Sequence, residues 1–270
     1  MQALSDDTFR RVSEIMYEAI GLSFSQSKKP LISSRLASRI HKIGLPSFEA
    51  YVDLLEDHNQ AAEFQMAVDL LTTNETYFFR EPKHYDLLEQ ELLRRKDRGP
   101  LAVWSAASSF GDEAYSTAML LSDMQRKGQL GPDWSILGTD ISHRVLLSAA
   151  EGIYPQDRLR HVPQEQMHRY CLQGEGPATG QVMMQQSLRA HVRFGQLNLT
   201  KSFEGLGPFD VIFLRNVLIY FDTPTKIAVV DRVLATLRPG GLFFMGTAEG
   251  RVPCKTRLEP LIPGAYRKAA

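Results

Sequence analysis

From about residue 84 onward, short apolar runs alternate with helix-patterned stretches, and this alternation restricts the chain to a small set of folds. Runs at 101–107, 135–139, 192–196, 209–214 and 241–246 read as strands. Helical patterns at 84–96, from near Glu113, at 142–150 and at 224–237 lie before and between them. The alternation predicts an α/β fold, a doubly wound and mostly parallel sheet. Crossovers in such sheets are right-handed, and ligands gather at the carboxyl ends of the strands. Residues 168–195 break the rhythm: a glycine-rich turn (Gly174, Gly176, Gly180) is followed by strand-like runs at 181–186 and 191–194. They read as a small antiparallel β-subdomain inserted into the main sheet.

Residues 1–72 look helical throughout. Ser5 is an N-cap for a helix with Phe9, Val12, Ile15 and Met16 on one face. A second helix carries Leu31, Ile32, Leu36 and Ile40 inward and stops at Gly44-Leu45-Pro46. Ser47 caps a third with Phe48, Tyr51, Leu54 and Leu55, and a fourth runs through Phe64, Met66, Val68 and Leu71. The expected organisation is a small all-α N-terminal domain (1–72), a linker contributing to a cleft (73–85), and a larger α/β domain (86–270).

A chain of 270 residues with 43% hydrophobic and 23% charged residues has ample material for a core. Its formal net charge of zero argues against a nucleic-acid protein held by bulk positive charge. The cysteines, Cys171 and Cys254, match no metal-ligand spacing and form no disulfide framework, so a reducing cytoplasmic setting is expected. No apolar run reaches membrane-spanning length, and the N-terminus lacks signal-peptide character.

Residues 74–80, Asn-Glu-Thr-Tyr-Phe-Phe-Arg, sit where the helical third gives way to the α/β pattern. They offer an amide, a hydroxyl, aromatic faces and the fixed cation Arg80, although a polar helix end leading into core aromatics reads the same. The loop after the first strand, 104–113, carries small residues and then Asp112 and Glu113 at a helix start. It lacks G-x-G-x-x-G, and its acids would repel a pyrophosphate. They suit a cationic ligand, an amine or a sulfonium, or they simply complement the helix dipole. Asp140 at the end of the second strand is where ribose hydroxyls are expected, and it would also serve as an N-cap. Asn198-Leu199 suits an adenine edge. Arg215-Asn216 ends the fourth strand and Tyr220 follows closely. These groups converge on one edge of the sheet.

Taken together, 74–80, Val103–Ala107, Gly138–Ile141, Asn198-Leu199 and Leu214–Phe221 closely resemble the CheR family of chemotaxis protein-glutamate O-methyltransferases, over essentially the whole chain. The resemblance implies S-adenosylmethionine, converted to S-adenosylhomocysteine, as methyl donor. It implies cofactor contacts at Asn74, Thr76, Arg80, Glu113, Asp140, Asn198, Leu199, Arg215 and Asn216, with Arg80 and Tyr220 as catalytic residues beside the transferable methyl. No metal is implied. The implied partners are cytoplasmic helices of chemoreceptors, a receptor C-terminal peptide captured by the β-subdomain as an extra strand, and no nucleic acid or membrane insertion, with the protein a monomer. Where the family usually has threonine and proline, this chain has Phe110 and Ala114, which predicts weaker or altered cofactor binding rather than none.

Lys28, Lys29, Arg35, Arg39 and Lys42 lie in a stretch without acids. They read as a solvated face or, given the resemblance, as a dock for an acidic receptor helix, centred on Arg35 and Arg39. Methylation of RNA or a small carboxylic acid, and a non-enzymatic cofactor sensor, stand as the other readings. His84 near the cleft is expected to be structural.

Overall fold

The computed structural model describes residues 3–95 and 99–269. Four helices come first: α1 (Asp6–Ile20), α2 (Lys29–Lys42), α3 (Phe48–Glu56) and α4 (Ala61–Leu71). Ser5 caps α1 by accepting the Thr8 N–H at 3.1 Å, and Gly21, at φ 73°, closes it. Ser47 caps α3 through the Ala50 N–H at 3.2 Å. Phe9, Val12 and Met16 meet Ile32, Leu36 and Ile40, together with Tyr51, Val52 and Val68, in one buried cluster. Leu31, expected inward, is 38% exposed instead. It is adjacent to Ile32 in sequence, and neighbours on a helix face different directions.

The α/β unit begins with α5 (Pro82–Arg94) and then β1 (Leu101–Ser105), α6 (Asp112–Arg126), β2 (Trp134–Asp140) and α7 (His143–Glu151). A small excursion follows: β3 (Ile153–Pro155), α8 (Gln164–Tyr170), β4 (Cys171–Gln173), β5 (Gln181–Met184) and α9 (Gln186–Arg189). The chain then completes β6 (Val192–Gln196), β7 (Phe209–Leu214), α10 (Thr223–Ala235), β8 (Leu237–Met245), β9 (Leu258–Ile262) and β10 (Ala265–Lys268).

The main sheet runs β6-β2-β1-β7-β8-β10-β9. The first five strands are mutually parallel, and β10 is antiparallel to both β8 and β9. Val103 sits between Ile136 of β2 and Val211 of β7. Such strands, covered on both faces, carry nearly continuous apolar runs, as in Phe209–Leu214. From β1 the chain builds outward one way through β2 and β6, then the other way through β7 and β8. The order therefore reverses between β1 and β7, and a crevice at their carboxyl ends follows from that reversal.

Three sequence expectations need correction. The small sheet has the order β3-β5-β4, so its first strand lies at 153–155, upstream of the stretch read as the excursion. The run at 191–194 belongs to the main sheet, because Val192 pairs with Ile136. The last parallel strand begins at Leu237, where Leu237 pairs with Phe209 before an irregularity shifts the register. The hairpin β9–β10 was not anticipated: Pro260 interrupts its pattern, and proline is tolerated there because β9 is an edge strand.

Candidate functional site

The carboxyl ends of β1, β2, β6 and β7 open into a cleft walled on its far side by the helical N-terminal unit. The cleft holds about 950 Å³ of empty space, solvent at its mouth included. Asn74, Thr76, Arg80, Glu113, Asp140, Asn198, Leu199, Arg215, Asn216 and Tyr220 all line it. Residues up to 146 positions apart, Asn74 to Tyr220, are thus brought to one surface by strand ends and the loops after them.

The acids occupy separate places. Asp140 ends β2 and is 8% exposed. Its Oδ2 accepts the Ser109 N–H at 2.9 Å and its Oδ1 the Ser142 N–H at 3.0 Å. Burial pushes this carboxyl up, against the pull of the Ser142 and Ser109 N–H groups. Each oxygen keeps a further lone pair for a ligand hydroxyl. Glu113, in the first turn of α6, accepts the Ser105 hydroxyl at 2.6 Å and stands 3.2 Å from Arg215 Nη1. Burial raises its carboxyl as well, while the Arg215 guanidinium pulls it down.

Asp112 does not join them. It is fully buried and holds Arg158 through contacts of 2.8 and 3.0 Å, facing away from the cleft. Phe110 does not plug the pocket either. Its ring packs on the sheet core with Arg158 stacked 4.6 Å and Arg144 5.6 Å from its centre. The loop turns at Ser109, φ 50°, and Phe110 takes no part in the cleft lining.

Arg215 is buried at 5% exposure and ties three segments together. Its Nη2 donates to the Arg80 carbonyl and lies 3.4 Å from Glu81, while Nη1 faces Glu113. Nε and Nη1 make no hydrogen bond among the described residues. Arg80 donates from Nη1 to the Glu75 carbonyl at 3.1 Å and lies 5.7 Å from the Tyr77 ring centre. Tyr220 is half-buried, and burial raises its phenol against the nearby Arg80 cation, so it remains a hydroxyl at neutral pH. Asn198 uses its amide internally: Nδ2 donates to the Ala19 carbonyl at 2.8 Å, and Oδ1 accepts from Thr200 N–H and Oγ1. An adenine edge at this point would meet its backbone or its one remaining amide hydrogen.

His84 is buried, with Nε2 3.0 Å from the Pro263 carbonyl. Two contributors escaped sequence reasoning. Glu81, at φ 58°, faces Arg215 and accepts from Thr247, and Glu249 accepts the Asn216 and Leu218 N–H groups. Their only sequence signal is an isolated acid beside a motif (Glu81) or within a Gly-Thr-Ala-Glu-Gly turn (Glu249). Among the described residues no cluster of side chains has the makings of a metal site. No described helix is long and apolar enough to cross a membrane.

Comparisons with known proteins bear on both units. Residues 74–263 match the family described as CheR methyltransferase, SAM binding domain, and residues 7–72 match CheR methyltransferase, all-alpha domain. A chemotaxis protein methyltransferase of Escherichia coli is 41% identical over 248 residues, 92% of this chain and 85% of that protein. Chemotaxis protein methyltransferase 2 of Pseudomonas aeruginosa is 40% identical over 91% of this chain and 87% of its own length. A relative of the same description from Borreliella burgdorferi is 33% identical over 98% of this chain and 95% of its own.

Proposed function

The chain belongs to the CheR methyltransferase family, and from that premise we propose that it transfers a methyl group from S-adenosylmethionine to glutamate carboxylates of chemoreceptors. The observation that carries this reading is the cleft, which gathers an acid at the end of β2, a buried acid at the start of α6 and the Arg80–Tyr220 pair on one surface. The donor set suits the cosubstrate. Asp140 keeps lone pairs for two ribose hydroxyls, Glu113 offers negative charge to an amino or sulfonium group, and Arg215 Nε has an N–H without a hydrogen-bond partner among the described residues for a carboxylate.

When bound, S-adenosylmethionine supplies an activated methyl whose carbon–sulfur electron pair returns to sulfur as the carboxylate oxygen is alkylated. A glutamate is already ionised at neutral pH, so the chain need not remove a proton. Its work is alignment and exclusion of water. Arg80, permanently protonated, attracts and orients the incoming carboxylate and cannot act as a base. The Tyr220 hydroxyl, kept neutral by burial, donates a hydrogen bond that fixes one reacting partner. The helical layer closes the far wall and limits water.

In this reading the helical unit docks on receptor helices, using the exposed Lys28 and Lys42. A receptor C-terminal peptide joins the small sheet. Support comes from its two edge strands, β3 and β4, and from the cross-strand row Ile153, Met183 and Leu172, whose ends are 40% and 46% exposed. The protein is taken to act as a monomer, and a cytoplasmic location accords with two free cysteines. The test is incubation of receptor-containing membranes with methyl-labelled cofactor. Label released as methanol in base is expected from the wild type and absent with Arg80→Ala; label in base-stable RNA, or none at all, contradicts the proposal.

A further inference from the structure

Beyond β8 the chain turns through Gly246-Thr247-Ala248-Glu249-Gly250, and Glu249 does not line the cleft. Its carboxylate is nonetheless the hub of the segment that does. Oε2 accepts the Asn216 N–H at 2.9 Å and the Gly246 N–H at 2.8 Å, and Oε1 accepts the Leu218 N–H at 2.7 Å. Asn216 is held at φ 59°, a conformation side chains rarely adopt, and the chain then makes the short turn Leu218–Tyr220.

The same turn reaches the other wall. Thr247 N–H and Oγ1 both donate to Glu81 Oε1 at 3.1 Å, and Glu81, itself at φ 58°, directly follows Arg80. There is no slack at the crossing point: a Cβ on Gly246 would lie 2.7 Å from Asn216 Nδ2 and 2.8 Å from Glu249 Oε2. This one turn therefore clamps the carriers of both Arg80 and Tyr220. Burial raises the Glu249 carboxyl, and the N–H groups of Asn216, Gly246 and Leu218 pull it back, so those donors face this charge.

We infer that Glu249 is a positioning residue for methyl transfer, its carboxylate fixing the 215–220 strap so that the Tyr220 hydroxyl stands in register with Arg80. The inference rests on the reading of Tyr220 and Arg80 as groups at the reacting centre. A carboxylate is suited to the task because it has acceptor sites on both oxygens and no donor. An isosteric amide turns one oxygen into an NH₂ group, which opposes at least one backbone N–H and shifts the strap. Displacing a reacting group by about 1 Å costs on the order of a hundredfold in rate.

The experiment is a double-mutant cycle of E249Q and Y220F on receptor membranes, with single-turnover labelling so that slow variants remain measurable. Far-ultraviolet circular dichroism and thermal melting verify that each protein is folded. The expected result is a folded E249Q whose transfer rate at saturating cofactor falls by about tenfold or more. In the Y220F background the same substitution costs no more than about twofold, because residues acting as one unit are non-additive. A rate within about twofold of wild type, or an equal loss in both backgrounds, overturns the inference and leaves Glu249 a purely structural residue. Should E249Q not fold, E249D takes its place: it keeps the charge, is one methylene short of its donors, and carries the same expectations. An inactive wild type counts against the functional reading and removes the transfer that Glu249 is said to serve. An active wild type matched by E249Q overturns this inference alone.

Discussion

Phe79, Glu81, Ser109 and Asn216 are non-glycine residues in the left-handed region, and each lies in or beside a segment lining the cleft. The conformation costs about 1–2 kcal/mol per residue, and hydrogen bonds offset it. Ser116 Oγ accepts the Phe79 N–H, Asp140 that of Ser109 and Glu249 that of Asn216. Strain of this kind gathers where function fixes geometry. Phe110 is a different case, a side chain beside the motif that does not line the cleft. Replacing Phe110 with Thr strips the surface on which Arg158 and Arg144 stack. It is expected to cost about 1–3 kcal/mol in chemical denaturation. Affinity for S-adenosylhomocysteine, read by calorimetry, should change by less than about threefold; a large loss of affinity with unchanged stability would return the ring to the cleft. The chemistry of the two acids alone gave Asp112 and Glu113 one reading, and only the resemblance singled out Glu113. They are adjacent on α6 and therefore point about 100° apart, one into Arg158 and one into the cleft.

Helix α2 and the Lys28 that precedes it carry the charges from which a docking face was expected, and packing divides them into two kinds. Arg35 donates to the Leu71 and Thr72 carbonyls at 3.0 and 3.1 Å, satisfying the end of α4. Arg39 holds Glu63 through both of its carboxylate oxygens, and Tyr51 donates to the same acid at 2.8 Å. Lys29 pairs with Asp6. These three tie the helical unit together while Arg35 and Arg39 stay partly exposed, and Lys28 and Lys42 are exposed. Arg39→Ala should lower folding stability by about 1–3 kcal/mol, because it strands a largely buried Glu63. Lys42→Ala should stay within about 0.5 kcal/mol of wild type, yet slow receptor methylation at low ionic strength, with the difference fading at high salt. Equal stability effects, or no salt dependence, would contradict this division. Local signals made several elements legible. Ser5 and Ser47 announced α1 and α3, and short, mainly apolar runs announced β1, β2 and β7. Strands β3, β9 and β10 were not legible, because three to five residues carry too little periodicity and their pairing is fixed by partners elsewhere in the chain.

The molecule is a helical cap latched across the rim of a twisted sheet. Gln65 on α4 and Gln196 at the end of β6 both donate to the Ile141 carbonyl, and Gln196 also donates to Gln65 Oε1. Asn198 reaches the Ala19 carbonyl at 2.8 Å, and Ser23 N–H reaches that of Tyr220 at 3.1 Å. These contacts bridge α1 and α4 to the loops after β2, β6 and β7, so the cap and the strand ends form two walls of one cleft. The alternation of strands and helices predicted where such a cleft opens, and the motif residues predicted its lining. What tied the walls together was hidden, since Gln65, Gln196 and Glu249 act on backbone groups of remote segments and belong to no local pattern. If the cleft exists to hold a methyl donor, a crystal soaked with S-adenosylhomocysteine decides the matter. Density is expected between the two walls, with ribose hydroxyls at the Asp140 carboxylate and the sulfur facing Arg80 and Tyr220. Density elsewhere, or a cleft filled only by water in a protein that still methylates receptors, would contradict the assignment.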